Sequence, residues 1–499
     1  MEPYIIGVDI GTGSAKAVAL KYSGDVITSA QSHYKILEAS VAGYSEQDPE
    51  TIWSAFLHCV KKVIRSVGRV PNAVSFSSAM HSLVVIDKDN RPITKLITWA
   101  DTRSETIAGE IRASAIAESL YRETGTPIHS MSPLCKIMWF GKNQPEIFER
   151  AYKFISIKEF IWYRLFNEYE IDKSIASATG LYNISTGVWN NRSLEFCGIR
   201  SDNLSKIVST AFTRKNINNV VGEELGIGSD TNFCIGASDG CLANIGSFAL
   251  DKGTAAITIG TSGAVRVASH NPVFNFNAMI FNYVLDDNTF ICGGPVNNGG
   301  NILNWMVGSF LKIENPDEDV YNSFFKKVDE VPAGSKGLLF LPYLFGERAP
   351  IWDEKSAGVF FGIKSYHSQP DFLRASMEGV CYVLKNILQL IEESTGVIVQ
   401  LNVSGGFIHS QTWVQILADV TGKEICLVQS DDASAIGAAM LYMKSANLLD
   451  KYNSLQKKEN AMVTPDAKNH LVYEKYLPVF KNLYFILKDS MHRMNDMYN

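Results

Sequence analysis

The sequence predicts an α/β protein whose two homologous domains face each other across a nucleotide cleft. Three observations carry that expectation. Residues 4–20 hold two β-rich runs, 5–10 and 15–20, around Gly11-Thr12-Gly13-Ser14, a hairpin signature whose glycines allow positive φ in the turn. Residues 257–267 repeat the pattern: aligning Ile259 with Ile10 restores Ile-Gly-Thr, two small residues, Ala and a distal Val half a chain away. A closing βα unit, residues 424–428 and 434–444, then completes a second α/β half.

The hairpins also carry the first chemical reading. A tight turn of small residues presents backbone N–H groups and hydroxyls outward, which suits a polyphosphate. Gly11, Thr12, Gly13, Ser14 and the following Lys16 form one candidate cradle, and Gly260, Thr261 and Ser262 the other. Asp9 stands at the mouth of the first turn, where a carboxylate would repel phosphate unless a divalent cation lay between them, so it is the candidate Mg²⁺ residue, acting through water. The second copy has Thr258 in its place, and no Gly-Lys-Ser/Thr phosphate loop occurs, which argues against the P-loop class.

Composition bounds the rest. The chain has 499 residues, enough for two or three domains with full cores, and a formal charge of -6 that makes no case for nucleic acid. Its 8 cysteines form no Cys-x-x-Cys pair and sit in apolar contexts, as buried thiols of a reducing compartment do. No apolar run reaches membrane-spanning length and no basic-then-apolar leader opens the chain, so neither membrane nor nucleic acid is an expected partner and the cytoplasm is the expected location.

Taken in order, Asp48 and Pro49 start an amphipathic helix to residue 67, with Asp48 as its cap. A buried strand, 73–77, runs on to Met80 and His81, placing two large side chains where an open α/β sheet keeps its ligand crevice; a satisfied core histidine is the alternative for His81. Trp99, Asp101 and Arg103 crowd one loop, as in sugar sites, although an ion pair accounts for the last two almost as well. Lys136 and Lys158 lie in apolar surroundings, where a lysine either snorkels or meets an anion; with Arg103 they point to an anionic substrate. Asp239 follows a strand, 233–238, and opens a helix of small residues, placed either to cap that helix or to act as a base between the domains. Residues 293–300 read as a turn-rich loop, 340–353 as an irregular aromatic loop, and 370–393 as a long amphipathic helix. Gly405 and Gly406 end a strand where close approach of a ring or ribose is required, and the tail is helical with anchors Tyr473, Tyr476 and Phe480.

With these segments in place, the chain resembles the FGGY carbohydrate kinases over essentially its full length. One family signature looks matched at 131–140, including Lys136 and Trp139, and another at 358–378, including Gly362, Asp371 and Ala375. Within the family the runs 76–82, 98–104, 124–131, 235–240, 293–300 and 346–352 look most like gluconate kinases. Xylulose kinases share Met-His but usually in Gln-Met-His-Gly, and glycerol kinases have Arg-Glu there.

The resemblance implies two actin-like (ribonuclease H-like) ATPase domains with a nucleotide and sugar cleft between them, divided as residues 1–247 and 248–499. It implies ATP and Mg²⁺ as cofactors and a small sugar acid, D-gluconate first, as substrate. Asp239 would be the general base, Thr12 and Thr261 would hold phosphate oxygens, and Gly405 and Gly406 would border adenosine. Met80, His81, Trp99, Asp101 and Lys136 would border the sugar. Lys136 belongs to a signature shared with kinases of neutral sugars, so Lys158 or Arg103 is expected to read the carboxylate. The competing readings are a ketose kinase such as a xylulose kinase, and a non-catalytic nucleotide-dependent binding protein. The sequence sets no oligomeric state and allows a homodimer.

Overall fold

The computed structural model describes residues 2–37, 41–313, 318–428, 432–456 and 461–498. Both glycine hairpins form. In the first half, β1 (Tyr4–Ile10) and β2 (Ser14–Lys21) pair antiparallel with Asp9 opposite Lys16, and β3 (Val26–His33) continues the meander. On the other side of β1 lie β4 (Ala73–Ser78) and, beyond it, β6 (Asn232–Ser238), both parallel, with β5 (Thr213–Arg214) antiparallel at the edge. The order is β5-β6-β4-β1-β2-β3. β4 is buried on both faces, so residues 73–78 read as one continuous buried run rather than as an alternation, whereas the outer β3 is largely exposed.

The second half repeats this order. β7 (Thr254–Ile259) and β8 (Gly263–Ser269) form its hairpin, followed by β9 (Phe281–Asp286) and β10 (Thr289–Val296); β11 (Gln400–Ser404) and β12 (Glu424–Leu427) run parallel to β7, with β13 (Met462–Val463) antiparallel at the edge. The order β9-β10-β8-β7-β11-β12-β13 matches the first sheet from hairpin to edge, with β9 added. Duplication of the hairpin therefore extends to the whole sheet.

One face of the first sheet is covered by α1 (Pro49–Val67), whose buried stripe includes Trp53, Phe56, Val60 and Val63. Pro49 opens this helix as expected. Asp48 makes no side-chain cap bond and instead accepts from Thr51 Oγ1 and Lys95 Nζ. The other face is shared between the halves. A single apolar core joins Ile5, Ala73 and Cys234 of the first sheet to Ala438, Ala439 and Met440 of a helix from the second half, and to Phe281 and Tyr283 on β9.

That shared core depends on close backbone approach. Helix α4 (Asp239–Gly246), which follows β6, packs against its counterpart α6 (Ala433–Ser445), which follows β12; α5 (Gln369–Thr395) lies between them in the chain. A Cβ on Gly437 would stand 2.0 Å from the Leu242 carbonyl oxygen, one on Gly246 2.0 Å from that of Ala433, and one on Gly7 1.9 Å from that of Ala435. Only hydrogen fits at these three positions.

The hairpin glycines answer a different need. Neither Gly11 nor Gly13 adopts the positive φ that the turn seemed to require, and a Cβ on Gly13 would meet nothing within 4 Å. Gly13 leaves open space above the turn, whereas a Cβ on Gly11 would crowd the Ser14 carbonyl oxygen at 3.3 Å. Gly293 to Val296 proves to be the end of β10 rather than loop, because Gly293 lies against the Val265 carbonyl, where a Cβ would come within 2.1 Å. All eight cysteines are buried and unbridged. The tail helix, Ala467–Tyr498, buries Tyr473 and Phe480 against the second half.

The packing predicts opposite outcomes for two chemically identical substitutions. A Cβ added at Gly109, inside the helix Glu105–Arg112, would meet nothing within 4 Å, so Gly109→Ala should gain up to about 1 kcal/mol of helix propensity. Gly437→Ala should lose about 1–3 kcal/mol from overpacking despite the same propensity gain. Urea unfolding midpoints of the two variants, moving in opposite directions, check this; a higher midpoint for Gly437→Ala would contradict the contact.

Candidate active site

A cleft of about 520 Å³ opens between the two sheets, lined by residues of both hairpins, of α4 and of α6. This size suits a small ligand with a few oriented polar groups. Its acid sits where β6 gives way to α4. Ser238 takes the N-cap, its Oγ accepting the Cys241 N–H, and this leaves Asp239 as the first helical residue with its carboxylate directed at the cleft rather than spent on capping. Asp239 Oδ1 accepts from the Gly240 N–H at 2.6 Å. Burial, and then the neighbouring charge of Asp9, push its pKa up to about 7, against the opposing pull of that N–H and of Arg266.

Asp9, at the end of β1, is half-buried and accepts from Ser77 Oγ at 2.6 Å. Burial raises its pKa above the ordinary carboxylate range, and the like charge of Asp432 adds to this. Across the hairpin, Lys16 forms an ion pair with Asp432 just ahead of α6, tying the first turn to the second half. Lys16, Asp9 and Asp432 all line the cleft. Gly11 and Thr12 line a small adjoining cavity with Met80 and Trp99. Thr12 Oγ1 accepts from the Trp99 indole N–H at 2.9 Å, so its own proton is left to donate. Gly13 and Ser14 complete the turn, Ser14 Oγ accepting from Gln31.

In the second turn, Gly260, Thr261 and Ser262 line the cleft, and the Gly260 carbonyl accepts from the Gly300 N–H at 2.6 Å. Gly405, at φ 102°, lies against Ile259, where a Cβ would come within 2.3 Å of the carbonyl oxygen; Gly406 beside it is open. Arg266 on β8, which the sequence did not single out, donates Nε to Asn244 and Nη2 to Thr258 Oγ1, beside Asp239.

Met80, His81, Trp99, Tyr283 and Arg348 also line the cleft, Met80 next to Gly240. His81 takes the left-handed φ of 62° just past β4, and Tyr283 Oη lies 3.1 Å from its Nε2. Burial, together with the charge of Lys136, drives the His81 pKa down to about 3, so the ring is neutral. Tyr283 and Arg348 carry no sequence signal of a site, since Tyr283 lies in an ordinary strand pattern and Arg348 in the irregular loop after residue 340.

Three expected sugar residues are set back from the cleft as supports. Lys136, in α2 (Pro133–Asn143), is fully buried, and its Nζ donates to the His81 and Thr98 carbonyls at 2.5 and 2.7 Å. It thereby clamps the His81 turn to the Trp99 loop, and burial lowers its pKa to about 7. Asp101 accepts the Ser45 N–H and a two-pronged contact from Arg103. Arg103 is the partner in that pair: its side chain is 3 % exposed, engages Asp101 and Glu46, and lies 3.8 Å over the Tyr44 ring. The expectation that Arg103 reads a substrate anion is corrected by this saturation.

Lys158 is corrected in the same way. It lies on α3 (Ile157–Phe166), 2 % exposed, and its Nζ donates to Asp172 Oδ2 at 2.7 Å and to the Ala237 carbonyl at 3.0 Å. It is a core ion pair behind β6 and does not line the cleft.

Both halves of this architecture are matched among known proteins. Residues 4–246 match the N-terminal domain of the FGGY family of carbohydrate kinases, and residues 255–446 match its C-terminal domain. The chain is 38 % identical to gluconokinase of Bacillus subtilis (strain 168), over 99 % of this chain and 98 % of that one. The solved gluconate kinase from Lactobacillus acidophilus superposes with a TM-score of 0.94 at 31 % identity, covering 99 % of this chain and 100 % of that one. A ligand-bound xylulose kinase from the same organism also reaches 0.94, at 32 % identity and the same coverage.

Because Lys158 neutralises a carboxylate with no access to water, Lys158→Met should destabilise the fold by about 3–5 kcal/mol, leaving Asp172 buried and unpaired. Thermal unfolding of this variant and of the double variant Lys158→Met, Asp172→Asn tests it, the second substitution recovering part of the loss. A single variant as stable as the parent would refute the core assignment.

Proposed function

The chain belongs to the FGGY family of carbohydrate kinases, and on that footing we propose that it transfers the γ-phosphoryl group of ATP to the terminal hydroxyl of D-gluconate, giving 6-phosphogluconate and ADP. The observation that carries the chemistry is Asp239: a carboxylate freed from capping by Ser238, set between both hairpins and held at a pKa of about 7. A base poised near neutrality can accept a hydroxyl proton without being permanently protonated. As Asp239 takes that proton, the substrate oxygen bonds to the γ-phosphorus, the bond from phosphorus to the β–γ bridging oxygen breaks, and ADP departs.

Phosphoryl transfer depends on in-line placement and on neutralising charge at the phosphate oxygens. The Gly11 and Gly260 N–H groups close their own turns on the Ser14 and Ser262 carbonyls, so the backbone N–H of Gly13 and the hydroxyls of Thr12 and Thr261 are the groups we assign to the phosphates, with Lys16 and Arg266 adding positive charge beside them. Gly405 and Gly406 are assigned to the nucleoside. Asp9 suits Mg²⁺: among the described residues no three-ligand cluster of His, Cys, Asp or Glu forms a cage, and a single carboxylate with the ion's remaining positions left to phosphate and water is the usual arrangement for this metal. The ion would offset the mutual repulsion of Asp9 and the phosphates. His81, neutral, is assigned to a sugar hydroxyl, with Trp99 and Met80 as the apolar walls.

Gluconate is preferred to a ketose on overall similarity, since the gluconokinase relative is 38 % identical while xylulose kinase of Staphylococcus epidermidis (strain RP62A) is 29 % identical over 97 % of each chain. The ketose reading rests on the equal superposition of the xylulose kinase. Release of ADP in a coupled assay with gluconate, xylulose, ribulose and glycerol separates the two.

Asp239→Asn should lower turnover by on the order of 10² to 10⁴ while ATP still binds. The parent's kcat/KM should fall as pH drops through about 7, because the base must be unprotonated in the free enzyme, and that inflection should vanish in the variant. Near-normal turnover of Asp239→Asn, or an unchanged pH profile, would remove Asp239 from the role.

A further inference from the structure

Resting on the sugar-acid reading, the question left by the saturated Lys158 and Arg103 is which group meets the substrate's carboxylate. The buried cations near the cleft can each be traced to a partner. Lys158 has Asp172, and Arg103 has Asp101 and Glu46. Lys16 is paired with Asp432. Lys136 points its ammonium at two backbone carbonyls and lies behind the cleft wall. Arg266 is held by Asn244 and Thr258 at the hairpin end, beside the base.

Arg348 is different. It is 9 % exposed, and it lines the cleft with His81, Trp99 and Tyr283. Its Nε donates to Asn297 Oδ1 at 2.7 Å and its Nη2 to the Val296 carbonyl at 3.1 Å, both neutral acceptors. The guanidinium carbon stands 4.8 Å from the centre of the Trp99 ring, so the group is fixed against an aromatic face. Among the described residues no carboxylate forms an ion pair with this guanidinium. Its neighbour Glu347 is turned to other donors, the backbone N–H groups of Asn297 and Arg348 and the Asn298 amide. Glu347 acts on the guanidinium only through space, and a charged group that is desolvated and oriented, with no carboxylate in direct contact, gains from a ligand that supplies one.

We propose that Arg348 is the specificity-determining residue that binds the C1 carboxylate of the sugar acid, within the cleft that also holds Asp239. The planar fork suits a carboxylate, and two hydrogen bonds to neutral acceptors hold it ready without cancelling its charge. The base and the cation, both lining this cleft, would then hold the two termini of the sugar acid.

The test compares D-gluconate with D-glucitol, which keeps the carbon chain and replaces the carboxylate by a hydroxymethyl group. The measure is the ratio of the gluconate KM to the glucitol inhibition constant on one preparation, a ratio independent of the folded fraction. Arg348→Met should raise that ratio by about 10- to 100-fold, the range of one lost charge-assisted pair, and Arg348→Lys by less. Asn297→Asp supplies an internal anion to the intact arginine and should also weaken gluconate selectively. An unchanged ratio in all three variants, with the parent still phosphorylating gluconate, would overturn the Arg348 assignment and leave the kinase reading standing. A parent that does not phosphorylate gluconate would overturn both, and the parent measurement alone shows which case holds.

Discussion

The contact on which the rest of this structure depends is backbone against backbone, where α4 and α6 cross beneath the cleft. Gly246 and Gly437 face carbonyls at distances that admit no side chain, and Gly7 does the same where α6 meets β1. Each helix follows the equivalent strand of its own sheet, so their crossing is the pseudo-symmetry axis of the duplicated fold. Because the helices approach this closely, α6 of the second half covers the first sheet, and both halves share one apolar core. Asp9 and Lys16 on the strands of the first hairpin and the turn Gly260–Ser262 of the second are then brought to a single cleft. Asp239 heads α4 and Asp432 immediately precedes α6, so the base and the partner of Lys16 are positioned by the same crossing.

Charge is the second organising constraint. The interior holds several cations, and most are matched to a carboxylate or to carbonyls: Lys158 to Asp172, Arg103 to Asp101 and Arg374 to Glu378. These pairs brace the walls. Lys136 belongs with them, since its ammonium joins the carbonyls of the two loops that carry His81 and Trp99. Such groups act without touching a ligand, and their removal should affect stability and wall geometry together. The carboxylates at the centre are arranged the other way. Asp9 raises the proton affinity of Asp239, and Asp432 that of Asp9, while the nearest cations, Lys16 and Arg266, are bonded to other partners. Opposite arrangements of charge therefore distinguish the scaffold from the chemistry.

Much of the fold was legible because its signals are local. The hairpins are a period-2 pattern broken by glycine, and a repeat of that pattern half a chain away needs no tertiary information. The strand-end positions of His81 and Asp239 follow instead from short continuous apolar and small-residue runs. What the sequence could not resolve is pairing across space. Lys158 and Asp172 meet because α3 and the segment entering residue 173 converge behind β6, and no spacing rule links them. Lysine amid apolar neighbours looks alike whether it faces a ligand or a buried carboxylate. Capping shows a similar limit: Ser238 and Asp239 are both good caps by type, and only the helix start, one residue earlier than expected for Asp239 as the cap, decides which one is left over. Arg348 sits in a loop with no period at all, so neither its burial nor its exit into the cleft has a sequence signature.

Selectivity within this family has to reside outside the shared scaffold. A gluconate kinase and a xylulose kinase superpose equally well on this chain, so the overall fold does not by itself distinguish an acid from a ketose. Discrimination is a difference between two binding free energies, and a site that presents a desolvated, oriented charge rejects a ligand that leaves that charge unmet. The supports behind the wall cannot do this, because their charges are already satisfied within the protein. Arg348, which lines the cleft and is held by neutral acceptors, has the required property. A neutral sugar there would replace water around the guanidinium without replacing its lost hydration, whereas a carboxylate would do both.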